Sequence, residues 1–435
     1  MVISPPNLND YLEALNHLQT LRPSGRVTQV IGLTVEAVGL DCQIGEVCEI
    51  KGRSATTVLG EVVGFRNHST LLMPLGEMSG IQPDCGVHPM GSVFRAPVGF
   101  QLMGRVLDGL GQPIDDIGPM RVTNTMPIYN SAPHPLERSP ITEPLVTGVR
   151  AIDGLLTTGK GQRMGIFAGS GVGKSTLMGS IARSSRSDVS VIALIGERGR
   201  EVREFVERDL GPEGLKRSVV VVSTSDKPAL LRLKAAWVAM TIAEFYRDQG
   251  LDVTFLMDSV TRFAMAQREI GLAIGEPPAS RGYTPSVFAM LPRLLERAGT
   301  GRRGSITGYF TVLVEGDDFN EPIADSVRGI LDGHIILSRQ LAQRNHYPAI
   351  DVLGSLSRVM PSITSSEHRL MAGNIRKNLA TYEKARDLIN IGAYSNGSDA
   401  EIDKAIEAQP RIDNLLLQGS AFCPFDETLS LMASI

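Results

Sequence analysis

A chain of 435 residues with 42% hydrophobic and 21% charged residues has an ordinary globular composition, enough for roughly three domains. Its net charge of −4 gives no bulk support for a general nucleic-acid binder, although a local basic patch stays compatible with it. No stretch approaches the ~18 apolar residues of a spanning helix, so membrane contact is expected to be indirect, through partners.

Residues 7–21 place Leu8, Tyr11, Leu12, Leu15 and Leu18 on one helical face, a short amphipathic helix that packs on its own domain or docks a partner. The N-terminus shows no charged region followed by an apolar one, so no secretory signal is expected. From 26 to about 95, β-rich runs at 26–31, 34–37, 46–50 and 57–65 alternate with glycine turns, which predicts a small barrel or sandwich. The cysteines Cys42, Cys48, Cys85 and Cys423 form no metal or disulfide pattern. Reduced, mostly buried thiols and a cytosolic setting follow.

Between 95 and 147 prolines are dense, as in a connector that winds over a surface, with a strand and tight turn at 104–115. From about 150 to 355 apolar runs alternate with helical patterns, which predicts a parallel α/β sheet. Its strands are expected at 164–167, 189–196, 219–223, 252–257 and 308–314, with helices at 201–210 and 229–249. From about 365 the chain is charged and helix-forming, with helical spacing at 375–391 and 400–417.

The stretch that organises the rest is 159–183, GKGQRMGIFAGSGVGKSTLMGSIAR. A short apolar strand runs into Ala168, Gly169, Ser170, Gly171, Val172 and Gly173, then Lys174, Ser175 and Thr176 open a helix. Glycines let successive N–H groups curl around one anion, and the helix N-terminus adds its positive end. Lys174 can reach the β- and γ-phosphates, and the Ser175 hydroxyl can ligate magnesium. The usual pattern has glycine where Ala168 stands.

Hydrolysis also needs a metal-side acid, a group that orients water and a cation for developing charge. Asp258, after the apolar run 252–257, can hold magnesium or cap the following helix. Glu197, after 189–196, can accept a proton from water or belong to a solvated ion-pair cluster with its neighbours in GERGRE. For the cation, Arg198, Arg262, Arg358 and the pair Arg302 and Arg303 all stand as candidates.

FAGSGVGKS (167–175), IGERGREVREF (195–205), MDSVTRFAMAQREIGLAIGEPP (257–278), GSITGYFTVLVEGDD (304–318), ILDGHIILSRQLA (330–342) and HYPAIDVLGSLSRVM (346–360) resemble the type III export ATPases, above all their flagellar members. The family is related to the α and β subunits of rotary ATP synthases, and Ala168 resembles its own variant of the loop. The resemblance implies an N-terminal β-barrel at 25–95 after a helical segment at 1–24, a RecA-like α/β core at 96–365 and a helical domain at 366–435. It implies a homohexamer with ATP and Mg2+ at subunit interfaces. Lys174 and Ser175 then take the phosphate and metal roles, Glu197 resembles the catalytic carboxylate, and Asp258 the metal-side acid. Arg198 and Arg262 match arginines near the phosphate, Arg358 resembles a finger supplied by the neighbouring subunit, and Tyr347 an aromatic stacked on adenine. His334 and His346 are read as structural.

The implied partners are a stator-like regulator at the N-terminal helix, a central coiled-coil stalk, an export gate, chaperones and export substrates. No nucleic acid is expected, and the place is the cytoplasmic face of the membrane. A virulence injectisome ATPase is the near alternative. A Rho-type RNA translocase and a non-hydrolysing ring subunit are the distant ones, disfavoured by the acidic balance and by Glu197 respectively.

Overall fold

The computed structural model describes residues 24–52, 57–314, 316, 318–419 and 421–435. The helix expected at 7–21 lies outside them. The described residues up to Phe94, with Ala273–Gly275, form one compact unit, and the remainder forms a second.

In the first unit, strands β1 (Gly25–Ile31), β2 (Thr34–Val38), β3 (Glu46–Lys51), β4 (Thr57–Arg66), β5 (Ser69–Pro74) and β6 (Gly86–Val93) close into a barrel, in the order β1-β2-β5-β4-β3-β6. Closure decides between barrel and sandwich, and it leaves no free edge. Val27, Val35, Cys48, Ile50, Val62, Leu72 and Val87 fill the interior. All four cysteines are free thiols. Burial pushes Cys48 up to about 12, so it stays protonated and unreactive.

The second unit opens with β7 (Arg95–Pro97), β8 (Val106–Asp108) and β9 (Thr125–Pro127). β7 and β9 form a two-stranded ribbon, while β8 reaches out of the connector and pairs with the main sheet. That sheet adds β10 (Arg163–Ala168), β11 (Val189–Ile195), β12 (Ser218–Ser223), β13 (Asp252–Asp258), β14 (Gly299–Thr300), β15 (Ser305–Leu313), β16 (Gly333–Leu337) and β17 (Ile350–Ser357). Its order is β17-β16-β10-β15-β13-β11-β12-β8, with β14 beside β15. All neighbours on that path run parallel except β16 and β17. Both faces are covered, so β11 and β12 are buried at every residue, as continuous apolar runs require.

The helix expected at 201–210 is divided. Gly199–Glu204 is α-helical, and Phe205–Leu210 widens into a π-turn before Gly211–Lys216. The widened turn lies against the helix Lys174–Ser184, where a Cβ on Gly179 would come within 2.6 Å of the Asp209 carbonyl. Close backbone contact takes precedence there over regular winding.

The C-terminal helices Ser366–Asn390, Ala400–Leu416 and Phe425–Ala433 continue the core of the sheet unit. Ile375, Ala408, Ile412, Leu415 and Met432 join one apolar cluster with Ile152, Leu156 and Met178. Buried His368 donates from Nε2 to the Gly154 carbonyl at 2.7 Å, a structural role like that of His334 against the Gly354 carbonyl.

Candidate functional site

β10 ends at Ala168, which is 1% exposed and paired with Leu313 and Leu337 on either side. Position 168 is therefore still strand, and alanine is accommodated because the curl begins after it. Gly171 (φ 79°) and Gly173 (φ 89°) take left-handed backbone. A Cβ on Gly173 would stand 3.3 Å from the Tyr347 ring, so glycine also permits the approach of that aromatic. Lys174 opens the helix to Ser184, which buries Leu177, Met178, Ile181 and Ala182 and leaves Ser175 and Thr176 exposed.

β13 delivers Asp258 beneath this loop, one strand beyond β15. Lys174 Nζ stands 2.5 Å from Asp258 Oδ1 and 3.7 Å from Glu197 Oε1. Thr311 on β15 donates to Asp258 Oδ1 at 2.8 Å. In the first turn of the helix Val260–Ile274 the Arg262 N–H donates to the Ser259 hydroxyl at 3.3 Å, so Asp258 is free of that capping role.

Glu197 follows β11 through Gly196, whose φ of 71° turns the chain. Its Oε1 is buried without a hydrogen bond. Burial first, and then the negative charge of Asp258, push the Glu197 carboxyl up to about 7. For Lys174, burial pulls down, but the Asp258 and Glu197 charges outweigh it and hold the ammonium above its ordinary range. The solvated ion pairs lie beside it: Arg200 pairs with Glu204 and Arg203 with Glu207 on the exposed face, both at 2.8 Å, while the cation nearest Glu197 is Lys174. A cation between two carboxylates under a glycine loop is an anion-binding and water-activating arrangement with its cation in waiting.

Beside the loop lies a cavity of about 410 Å³ walled by Gly148, Gly173, Leu177, Tyr347, Pro348 and Gln418. Tyr347 is 39% exposed on its wall.

The flagellum-specific ATP synthase of Bacillus subtilis is 55% identical over 413 residues, 94% of each chain. The type 3 secretion system ATPase of Xanthomonas euvesicatoria is 52% identical over 438 residues, 100% of this chain and 99% of that one. The chain belongs to the family of flagellar and type III secretion ATPases. As a member, this ATPase acts in ATP-driven type III export, and the RNA-translocase alternative falls. The ATP synthase alpha/beta family matches with its nucleotide-binding domain at 148–357 and its beta-barrel domain at 27–91. The T3SS EscN ATPase C-terminal domain matches at 364–434. The assembled ATPase EscN of the enteropathogenic E. coli type III secretion system superposes with a TM-score of 0.90 at 46% identity, covering 94% of this chain and 99% of that one.

The arginine candidates of this ATPase separate clearly. Arg198 is turned to solvent, its side chain 82% exposed and 3.5 Å from Glu201, so it is not gathered with Lys174 and Glu197. Arg262 packs against Gly196 and pairs with neither Asp258 nor Glu269; its Nε is buried without a partner. Glu269 is taken by Arg232, and Arg302 pairs with Glu137 in an exposed loop. Arg358 is exposed and follows β17, whose last residue Ser357 pairs with Gly333, and Gly333 pairs with Met164 at the start of β10. Roughly 13 Å of strand, at ~3.3 Å per residue, separates Met164 from the end of β10 where the loop begins. Arg358 therefore sits at the end of the sheet opposite its own phosphate loop.

Gln418 escaped the reading of the sequence, since it follows a helix and belongs to no motif. Its backbone N–H donates to the Tyr347 carbonyl at 2.9 Å, and its Nε2 donates to the Gly148 carbonyl at 2.7 Å. Its Oε1 accepts from Arg150 N–H at 2.8 Å. One residue, through its backbone and its side chain, thus ties the Tyr347 wall to the Gly148–Arg150 turn. Gln418→Ala is expected to weaken ATP binding roughly 5- to 10-fold, the equivalent of about 1 kcal/mol in all, with kcat little changed. Titration with a fluorescent nucleotide checks it.

Proposed function

We propose that this ATPase hydrolyses Mg2+-ATP at the interfaces of a homohexameric ring, energising flagellar protein export at the cytoplasmic face of the membrane. The observation that carries the reading is the split geometry. Lys174, Glu197 and Asp258 converge under the phosphate loop, while Arg358 stands exposed at the far end of the sheet, where only a second subunit's nucleotide can meet it.

In this reading the N–H groups of 169–173 cradle the phosphates, and Lys174 leaves Asp258 for the β- and γ-oxygens. Tyr347 stacks on the base and Gln418 holds the pocket walls. Magnesium fits the donors present: a carboxylate oxygen of Asp258 and the exposed Ser175 hydroxyl. Among the described residues no three His, Cys, Asp or Glu side chains cluster, as suits a cation that takes most ligands from phosphate and water. Bound there, it would neutralise charge between the phosphates. Asp258, held at Oδ1 by Thr311, would offer a carboxylate oxygen to the metal, and Glu197 accepts the proton of the attacking water. Arg262 lends positive charge behind Gly196. The partner subunit's Arg358 meets the charge that develops on the transferred group.

A solved EscN complex with its central stalk EscO, TM-score 0.88 at 45% identity, supports a ring around a stalk for this chain as well. The stator-like regulator, gate, chaperones and substrates are proposed on the family resemblance. Deleting residues 1–20 should abolish regulator pull-down and leave basal ATPase intact. The injectisome reading has the Xanthomonas relative in its favour. A deletion strain that stays motile but no longer secretes effectors would favour the injectisome; loss of motility supports the flagellar reading.

Lys174→Ala is expected to weaken nucleotide binding roughly 10- to 100-fold, the worth of a charged hydrogen bond to phosphate. It also leaves Asp258 and Glu197 together without their cation, so the nucleotide-free protein should melt earlier. Calorimetry with and without ATP checks both.

A further inference from the structure

We propose that Gln162 is a positioning residue for Arg358, so that strand β10 serves its own phosphate loop at one end and the neighbouring subunit's site at the other. The proposal rests on the reading that Arg358 acts in trans.

Gln162 immediately precedes β10 and is 0% exposed. Its Oε1 accepts from the Gly159 N–H at 2.8 Å. Its Nε2 donates to the Asp332 carbonyl at 3.2 Å and to the Ser357 hydroxyl at 3.1 Å. Both acceptors bear on Arg358. The Asp332 carbonyl also receives the Arg358 N–H at 3.0 Å. Ser357, the residue before it, donates to the Thr157 carbonyl at 2.8 Å and accepts from the Met360 N–H at 3.3 Å. The backbone is pinned on both sides of Arg358.

Asp332 cannot drift. Its Oδ2 accepts from both the backbone N–H and the Nε of Arg163 at 3.0 Å, and its Oδ1 from Arg163 Nη2 at 3.0 Å. By contrast the Arg358 side chain makes no hydrogen bond or ion pair among the described residues, and it is exposed. A rigid, fully satisfied polar base under a free cationic tip is what a group that must reach another subunit needs. Misplacement by about 1 Å costs on the order of 10²-fold in rate. A buried amide whose partners are all met fixes such geometry better than an apolar side chain of the same size.

The test uses the assembled, full-length ATPase. Gln162→Met keeps the volume and removes the amide. kcat should fall 10- to 100-fold with KM for ATP unchanged, because the protomer's own loop is intact. On the Arg358→Ala background the same substitution should change kcat less than twofold, since two residues acting through one route do not add. Mixing Gln162→Met protomers with Lys174→Ala protomers should restore activity, because the latter present a correctly held Arg358 to an intact loop. Ser357→Ala, a milder change at the same base, carries the identical comparisons if Gln162→Met fails to fold. An equal fall on both backgrounds, a raised KM with kcat kept, or no recovery in mixed rings overturns the proposal. Wild-type kcat in Arg358→Ala alone would instead overturn the reading beneath it.

Discussion

Arg358→Ala should lower kcat about 10³- to 10⁵-fold, the range measured for arginines that meet a transferred phosphoryl group. ATP affinity per protomer should stay within a fewfold of wild type, because nothing at the loop, Tyr347 or Gln418 is touched. Thermal stability should also hold, since the side chain is exposed and its backbone N–H, which anchors it to Asp332, survives the substitution. The decisive arm is the mixture. Arg358→Ala protomers retain a competent loop and lack the finger, whereas Lys174→Ala protomers lack the loop and retain the finger. Rings containing both should regain part of the activity absent from either alone. A homogeneous Arg358→Ala ring that hydrolyses within threefold of wild type would remove the interfacial site.

That placement could not be read from the residues. Five arginines stood as candidates, and composition around them does not differ. The order β10-β16-β17 separates them, because it carries position 358 to the wrong end of its own sheet. Long-range register of this kind leaves no local signal. The strands that were legible, β10, β11, β12, β13 and β15, are buried on both faces and so read as mostly apolar runs. β17 is an edge strand with polar residues and a glycine, IDVLGSLS, and its pattern is that of a loop. The carboxylates were legible because each ends one of the apolar runs. Their common partner was not, since Lys174 meets them across 23 and 84 positions of chain. Gln418 was illegible for the same reason: its partners Gly148 and Tyr347 are neighbours only after the helical domain has folded onto the sheet.

Glu197→Gln separates binding from chemistry. The amide keeps shape and burial but cannot take a proton from water, so kcat should fall about 10²- to 10⁴-fold. ATP should bind at least as well, because one negative charge is removed from beside the γ-phosphate position while Lys174 remains. The same substitution has a second signature in the nucleotide-free protein. Folding raises the Glu197 carboxyl from its ordinary 4.5 to about 7, through burial first and Asp258 second. The folded state therefore holds this proton more tightly than the unfolded chain does. The associated stability is complete below pH about 4.5, declines as pH rises, and is lost once pH passes about 7. Glutamine has no proton to lose. The melting temperature of Glu197→Gln minus that of wild type should grow between those two values and level off above them. A flat difference would mean that Glu197 sits as an ordinary solvated carboxylate, and a kcat unchanged in the same variant would take the proton-accepting role from it. Because one readout concerns the empty protein and the other the turning enzyme, a failure of either leaves the other standing, and the two together tell whether the buried carboxylate under the loop is there for structure or for the reaction.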